Sequence, residues 1–275
     1  MSQTDDLRSR LDKAGLGAIA NELINQSKEA VAMKAAVVPD DAVPLGASKI
    51  GGLPDLPASL AWPKWKTGEL SFVVQVNLAE LPENDMLPSS GLLSFFYDRE
   101  QSAWGFDPQH KEGFRLWYFP ETSGLNRTRA PESLSFPCAR LTFEPFLSLP
   151  DSSVIGDLAL EMEKDEIYAE FLGKYPGDGP RHQILGWPKT IQNAMELECQ
   201  LASNGLYVGD PSGYRDPRRK ELEPGAPDWM LLLQIDSDDK TQMMWGDVGM
   251  LYVWIRYADL KQHNFAEAWT ILQCY

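Results

Sequence analysis

The sequence predicts a β-rich α+β fold made of two β-sheet halves, with helices at the N-terminal end and one helix in mid-chain. Three observations predict it. From Leu45 onward, short runs rich in branched and aromatic residues are bounded by Gly, Pro or Asp, the pattern of strands. One of these runs, SFVVQVN at 71–77, returns as MLLLQID at 230–236 with the glutamine in the same place, which reads as internal duplication. Apolar residues at helical spacing mark 5–36 and 157–173.

At the N-terminal end, Leu7 and Leu11 lie four apart, as do Ile19 and Leu23. The spacing predicts helix over 5–36, with Gly15-Leu16-Gly17 separating two short helices because glycine is costly inside one. Pro39 and Pro44 close the region. A helical segment 1–44 is thus expected to cover a sheet edge or face. The β-rich domain is expected over 45–275, in halves of about 45–150 and 151–275.

Strands are expected at 71–78, 91–98, 114–119, 229–236 and 249–256. VVQV and LLLQI are apolar runs broken by one Gln, so these two strands are read as central in a sheet. DLALEMEKDEIYAEFLG at 157–173 pairs Leu158 with Met162 and Ile167 with Phe171, and Gly173 and Pro176 supply its stop. Residues 203–228, rich in Gly, Pro and charge, read as a long loop or chain of turns. Its cluster Arg215, Arg218, Arg219 and Lys220 is read as a solvated face, with contact to an anionic ligand as the lesser alternative.

The echo extends beyond the glutamines. IGGLPDLP and AWPK, within 50–64, are repeated as ILGWPK at 184–189. Two β-rich halves related by a pseudo-twofold follow, with Gln75 and Gln234 at matching positions. The register is open, because Trp62 to Gln75 and Trp187 to Gln200 span the same distance, so Gln200 competes with Gln234. A buried Gln must satisfy its donors and acceptor. The two glutamines therefore bond to backbone at the junction of the halves, or line a ligand site there.

SKIGGLPDLP, the Gln-centred strands, HQILGWPKTIQ at 182–192, LLLQIDSDD with MMWGDVGMLYVWI, and the terminal LQCY resemble the YwqG-like family of bacterial proteins over about Lys49 to Tyr275. The resemblance implies a β-rich, roll-like α+β fold with internal duplication. It implies no activity. Members of that family stand in some bacterial toxin–immunity gene neighbourhoods, which implies an immunity-type role: binding and neutralising a protein partner.

Composition narrows the classes. A net charge of −15 over 275 residues repels phosphate backbones, so no nucleic acid is expected; it reads first as solubility, with faster association to a basic partner as the lesser alternative. No apolar run is long enough to span a membrane. The acidic start MSQTDDLRSR lacks the apolar core of a secretion signal, and the expected location is the cytoplasm. Cys138, Cys199 and Cys274 are widely spaced and read as buried free thiols.

Tests for chemistry return little. QIDSDDKTQMMWGD at 234–247 holds four aspartates, but an EF-type loop from Asp236 would put Lys240 and Thr241 where a ligand and a glycine belong. A non-EF site of Asp236, Asp238, Asp239 or Asp247 is the weaker metal reading; a solvated loop between strands is the stronger. There is no G-x-S-x-G elbow and no phosphate loop after Gly51-Gly52. Of His110, His182 and His263, His182 in the HQILGWP motif is the candidate of interest. Nine tryptophans serve a core or a binding surface. The expected function is a non-enzymatic, cytoplasmic module that engages a protein partner and needs no cofactor. The alternative is a small-ligand or carbohydrate-binding protein, or a hydrolase, with its site between the halves. Candidate ligand-binding residues are Gln75, Gln234, Asp236, Asp247, His182 and Trp245.

Overall fold

The structure is a computed structural model that describes residues 2–66, 68–131, 135–152, 155 and 162–275. Helix α1 (Gln3–Lys13) begins at Ser2, whose hydroxyl accepts the Asp5 N–H while the Asp5 carboxylate accepts the Ser2 N–H. This capping box satisfies otherwise orphaned donors. Leu7 and Leu11 are fully buried and pack with Leu23 of α2 (Ala20–Asn25) and with Tyr168 in a small second core.

Residues 26–36 are not helical, contrary to the sequence expectation. Strand β1 (Lys28–Val37) runs through ten residues, KEAVAMKAAV. Its Ala, Met and Lys are good helix formers. Pairing on both sides overrides that preference, since β1 bonds antiparallel to β9 (Ala139–Ser148) along its whole length and to β10 (Gln183–Ile184) at Val31 and Ala32.

The first half supplies β2 (Lys49–Ile50), β3 (Asp55–Pro57), β4 (Lys64–Trp65), β5 (Gly68–Asn77), β6 (Leu92–Asp98), β7 (Phe114–Phe119) and β8 (Leu125–Arg127). The second supplies α3 (Met162–Lys174), α4 (Glu196–Ser203), α5 (Pro211–Arg215), α6 (Arg219–Leu222), β11 (Trp229–Asp236), β12 (Met250–Arg256), α7 (Tyr257–Lys261) and β13 (Trp269–Gln273). The five expected strands are present as β5, β6, β7, β11 and β12. The expected mid-chain helix is seen as α3. Residues 156–161, including Leu158 of the predicted pair, lie outside the described ones.

One large sheet runs in the order β13-β12-β11-β10-β1-β9-β2-β5-β6-β7, with β4 added to β5; β3 and β8 form a separate pair. The order is a palindrome in kind. Reading outward from the centre, β1 leads to β10, β11, β12 and β13, while β9 leads to β2, β5, β6 and β7. A pseudo-twofold axis therefore passes between β1 and β9. Equivalent bonds confirm it residue by residue: Met33 N–H donates to His182 O at 2.9 Å, and Leu141 N–H to Ser48 O at 3.2 Å. Strand β1 thus completes the second half's layer, and β9 the first's.

The two outer edges approach each other through the loop after β6. Leu272 N–H of β13 donates to Trp104 O at 3.1 Å, and Trp269 Nε1 donates to Gly105 O at 2.9 Å. Lys111 Nζ donates to the carbonyls of Ala266 and Ala268, both at 2.6 Å. The result is a near-closed, barrel-like sheet whose apolar core draws on β1, β5, β6, β9, β11, β12 and β13. Among the described residues no helix is long and apolar enough to cross a membrane.

Candidate functional site

Gln75 and Gln234 are expected either to bond backbone at the junction of the halves or to line a ligand site. Both are fully buried. Gln75 Oε1 accepts the Asp55 N–H at 2.9 Å, and Gln75 Nε2 donates to Ala47 O at 2.7 Å. Gln234 Oε1 accepts the Lys189 N–H at 2.8 Å, and Gln234 Nε2 donates to Arg181 O at 2.7 Å. Each amide closes the ends of a short segment that crosses its strand, Ala47–Asp55 in one half and Arg181–Lys189 in the other. Gln200, the rival match, sits instead on α4 and bonds to Trp229 and Leu222.

The surrounding backbone repeats as well. Both strands bulge just before the glutamine, at Val73 and Leu232. The Val73 carbonyl accepts the Gly51 N–H at 2.8 Å, and the Leu232 carbonyl accepts the Leu185 N–H at 3.1 Å. Gly52 and Gly186 follow, with φ of +70° and +77°. A Cβ there would stand 2.8 Å from Cys138 Cβ or 2.6 Å from Ala30 Cβ, so both positions need glycine for two reasons. These contacts explain the IGGLP and ILGWP motifs as structural.

The halves differ in charge where they match. Asp55 corresponds to Lys189, and Lys49 to Gln183. In the first half the Asp55 side chain is wholly buried; its Oδ1 accepts from Arg127 Nε at 2.6 Å and its Oδ2 from the Gly46 N–H at 2.8 Å. Lys49 Nζ, also wholly buried, lies 3.8 Å from Asp55 and 3.5 Å from Asp40. Arg127 spans the group, reaching Asp40 Oδ2 at 2.8 Å and the Val43 carbonyl at 2.9 Å. Burial pushes the Asp40 carboxyl up, but the Leu53 N–H, Arg127 and Lys49 outweigh it and hold it below its ordinary value. Burial lowers Lys49 against the pull of Asp55 and Asp40. The cluster ties the segments around β2, β3 and β8 together.

His182 is buried at 2 % exposure. Its Nδ1 accepts the Asp236 N–H at 3.0 Å. Ser48 does the same in the other half, accepting the Asn77 N–H at 2.8 Å. Among the described residues His182 Nε2 has no hydrogen-bond partner; it lies 3.7 Å from Asp238 Oδ2, beyond bonding reach. Asp236 Oδ2 accepts the Arg181 N–H at 2.7 Å, and burial raises this carboxyl in spite of that bond. The histidine and Asp236 therefore stand together, joined through backbone.

The loop from Ser237 to Gly249, between β11 and β12, is a tight hairpin extension. Asp238 and Met243 exchange backbone bonds at 2.8 and 3.1 Å, and Asp238 Oδ1 accepts the Lys240 N–H at 2.9 Å. Asp239 and Asp247 are exposed. The aspartates do not converge, and among the described residues no three His, Cys, Asp or Glu side chains are placed to hold a metal ion. Trp245 supports the loop from beneath: it is 2 % exposed, its Nε1 donates to Asp236 O at 3.2 Å, and its ring meets the edges of Tyr97 and Phe136.

Above that support the loop carries features that sequence reading missed. Met244 and Val248 are 43 % and 52 % exposed, and Tyr275 is 75 % exposed. Tyr275 joins them because its N–H donates to Asp247 O at 3.1 Å. Gln101 of the first half clamps the loop, donating to Met244 O at 2.7 Å and accepting the Gly246 N–H at 2.7 Å. Val248 has φ of +50°, the left-handed region that a β-branched residue avoids. No periodicity or motif announces such a backbone angle. A separate cavity of about 660 Å³ opens where the 82–86 loop faces the start of β11; none of the six candidate residues lines it.

A family model described as a domain of unknown function, DUF1963, matches residues 48–274. No curated protein matches the chain.

Proposed function

The chain belongs to the DUF1963 family, which includes the YwqG-like proteins, and we propose that it is a non-enzymatic, cytoplasmic module that binds a protein partner through the Ser237–Gly249 loop. One observation carries the reading. An exposed β-branched residue, Val248, is held at a strained backbone angle on a loop that also exposes Met244 and bonds through Asp247 O to the exposed Tyr275. Strain of this kind costs on the order of 1–3 kcal/mol and is kept where it serves a site. The clamp of Gln101 and the seat of Trp245 pre-organise the loop, which lowers the entropy lost on binding. Asp247 beside it, and the net charge of −15, favour a basic partner. The toxin–immunity neighbourhoods of YwqG-like proteins agree with a neutralising role.

The alternative, a small-ligand or carbohydrate-binding protein or a hydrolase, rests on Gln75, Gln234, Asp236, Asp247 and His182. All but the exposed Asp247 bond to backbone within the fold, so they support that reading less.

A photo-crosslinking residue placed at position 248 in the full chain, in cells, tests the proposal. Position 37 is the control, since Val37 is equally exposed at 52 %. A discrete protein adduct at 248, absent at 37 and weakened by Asp247→Lys, is expected. No adduct, or the same adducts from both positions, would overturn it.

A further inference from the structure

The cavity of about 660 Å³ has the size of a small-molecule site. It lies between the halves. Pro82, Glu83 and Met86 come from the loop after β5, while Leu185, Asp228 and Met230 come from the segments that frame β10 and β11. It is thus distinct from the Ser237–Gly249 loop, and its occupancy does not depend on the reading above.

Its lining has two parts. Met86, Leu185, Met230 and the aromatic ring of Tyr257 give an apolar surface. Glu29, Glu83 and Asp228 give carboxylates, all exposed. None of these three makes a side-chain hydrogen bond or ion pair among the described residues. Among the described residues Lys28 is the one cation in the lining; its Nζ stands 3.4 Å from the centroid of the Trp187 ring and keeps its charge, so three carboxylates stand against one ammonium. Tyr257 is 51 % exposed, and Lys261 Nζ stands 5.5 Å from the centroid of its ring. That ring therefore already accepts a cation on its face. An apolar wall, an aromatic ring and an excess of carboxylates over cations together match one chemistry, an organic ammonium with an apolar body.

We propose that this cavity binds small amphipathic amines, with the apolar body against Met86, Leu185 and Met230 and the ammonium towards Glu29, Glu83 and Asp228. The carboxylates are exposed, so each adds only modestly and the three together favour a cation over a neutral head group by about tenfold.

The test uses three probes that share one body: 4-phenylbutylamine, 4-phenylbutanol and 4-phenylbutyrate. Titration calorimetry on the full chain is expected to rank them amine, alcohol, acid. The double variant Glu83→Gln, Asp228→Asn should remove most of the amine's advantage over the alcohol, Glu29 alone remaining, and leave the alcohol unchanged. Both residues are exposed, so the fold tolerates their loss. Met230→Trp should weaken amine and alcohol alike by filling the cavity, and a circular-dichroism melt shows whether that variant is folded. Equal affinity for all three probes in the parent chain would overturn the assignment of charge. Absence of binding by the amine at millimolar concentration would overturn the site, while leaving the partner proposal to its own crosslinking test.

Discussion

Gln75 and Gln234 make the same pair of backbone bonds in the two halves of the molecule, each accepting one N–H and donating to one carbonyl across a crossing segment. The relationship shows what an amide is for in the middle of an apolar strand. The short strands β2 and β10 are followed by two left-handed residues each, so their ends lack ladder partners. The glutamine supplies those partners from within the sheet. Leaving either group unpaired in the core costs about 1–3 kcal/mol.

The glutamines therefore predict matched losses. Gln234→Leu orphans the Lys189 N–H and the Arg181 carbonyl and is expected to cost about 2–4 kcal/mol. Gln75→Leu should cost about 1 kcal/mol more, because Gln75 Nε2 also donates to Asp55 Oδ2 at 2.7 Å. Urea unfolding midpoints of the two variants check this. A loss below 1 kcal/mol in either would show that water replaces the amide.

The Arg127 guanidinium is predicted to be irreplaceable. Arg127→Met strands the buried Asp55 carboxylate and should cost about 3–5 kcal/mol. Arg127→Lys should recover little, since one ammonium cannot reach Asp55, Asp40 and the Val43 carbonyl together. Asp40 adds a pH signature. Its carboxyl is held below the ordinary value, so its contribution is present above its unfolded value near 3.9 and is lost as pH falls through the lowered one. Acid unfolding of the parent chain should steepen there, and the step should be smaller in the Met variant, which keeps only the Leu53 N–H and Lys49 beside Asp40.

Glu198 behaves in the opposite sense. Burial raises its carboxyl to about 7. The folded chain then holds a proton that the unfolded chain releases near pH 4.3, so stability falls as pH rises from there through 7. Glu198→Gln is expected to match the parent at pH 4 and to exceed it by about 1–2 kcal/mol at pH 8, discounting for partial solvent access. Urea midpoints across that range check the sign, and a variant less stable at pH 8 would refute it.

Much of this fold was legible in the sequence where chemistry is local. The branched and aromatic runs at β5, β6, β7, β11 and β12 announced themselves, and the repeated Gln in VVQV and LLLQI located the duplication. What failed depended on distant partners. KEAVAMKAAV has helix-forming residues, and only its antiparallel neighbours β9 and β10 make it a strand. Strand β9 itself contains Pro145, which argues against a central strand from sequence alone. Its pairing with β1 is visible only once the halves come together.

The site was less legible for the same reason. Gln75, Gln234, His182 and Trp245 were singled out because polar and aromatic groups stood out against apolar runs. Each is used inside the fold, three of them through backbone bonds fixed by residues far away in sequence. Asp236 and His182 were brought together, but by a bond to the Asp236 backbone rather than to its carboxylate. Asp247 alone lies on the proposed surface, and there its neighbour Val248 supplies the stronger sign. A left-handed valine has no sequence signature.

Strain kept for binding should be recoverable as stability, which makes Val248 the most direct test. Val248→Gly and Val248→Asn remove the β-branched clash and little buried surface, since the side chain is 52 % exposed. Urea unfolding of both variants should show a stability gain of about 1 kcal/mol, with the adduct formed beside the loop weakened. If both variants are instead less stable than the parent chain, Val248 is a structural residue in a relaxed turn, and the loop loses its claim to be the binding surface.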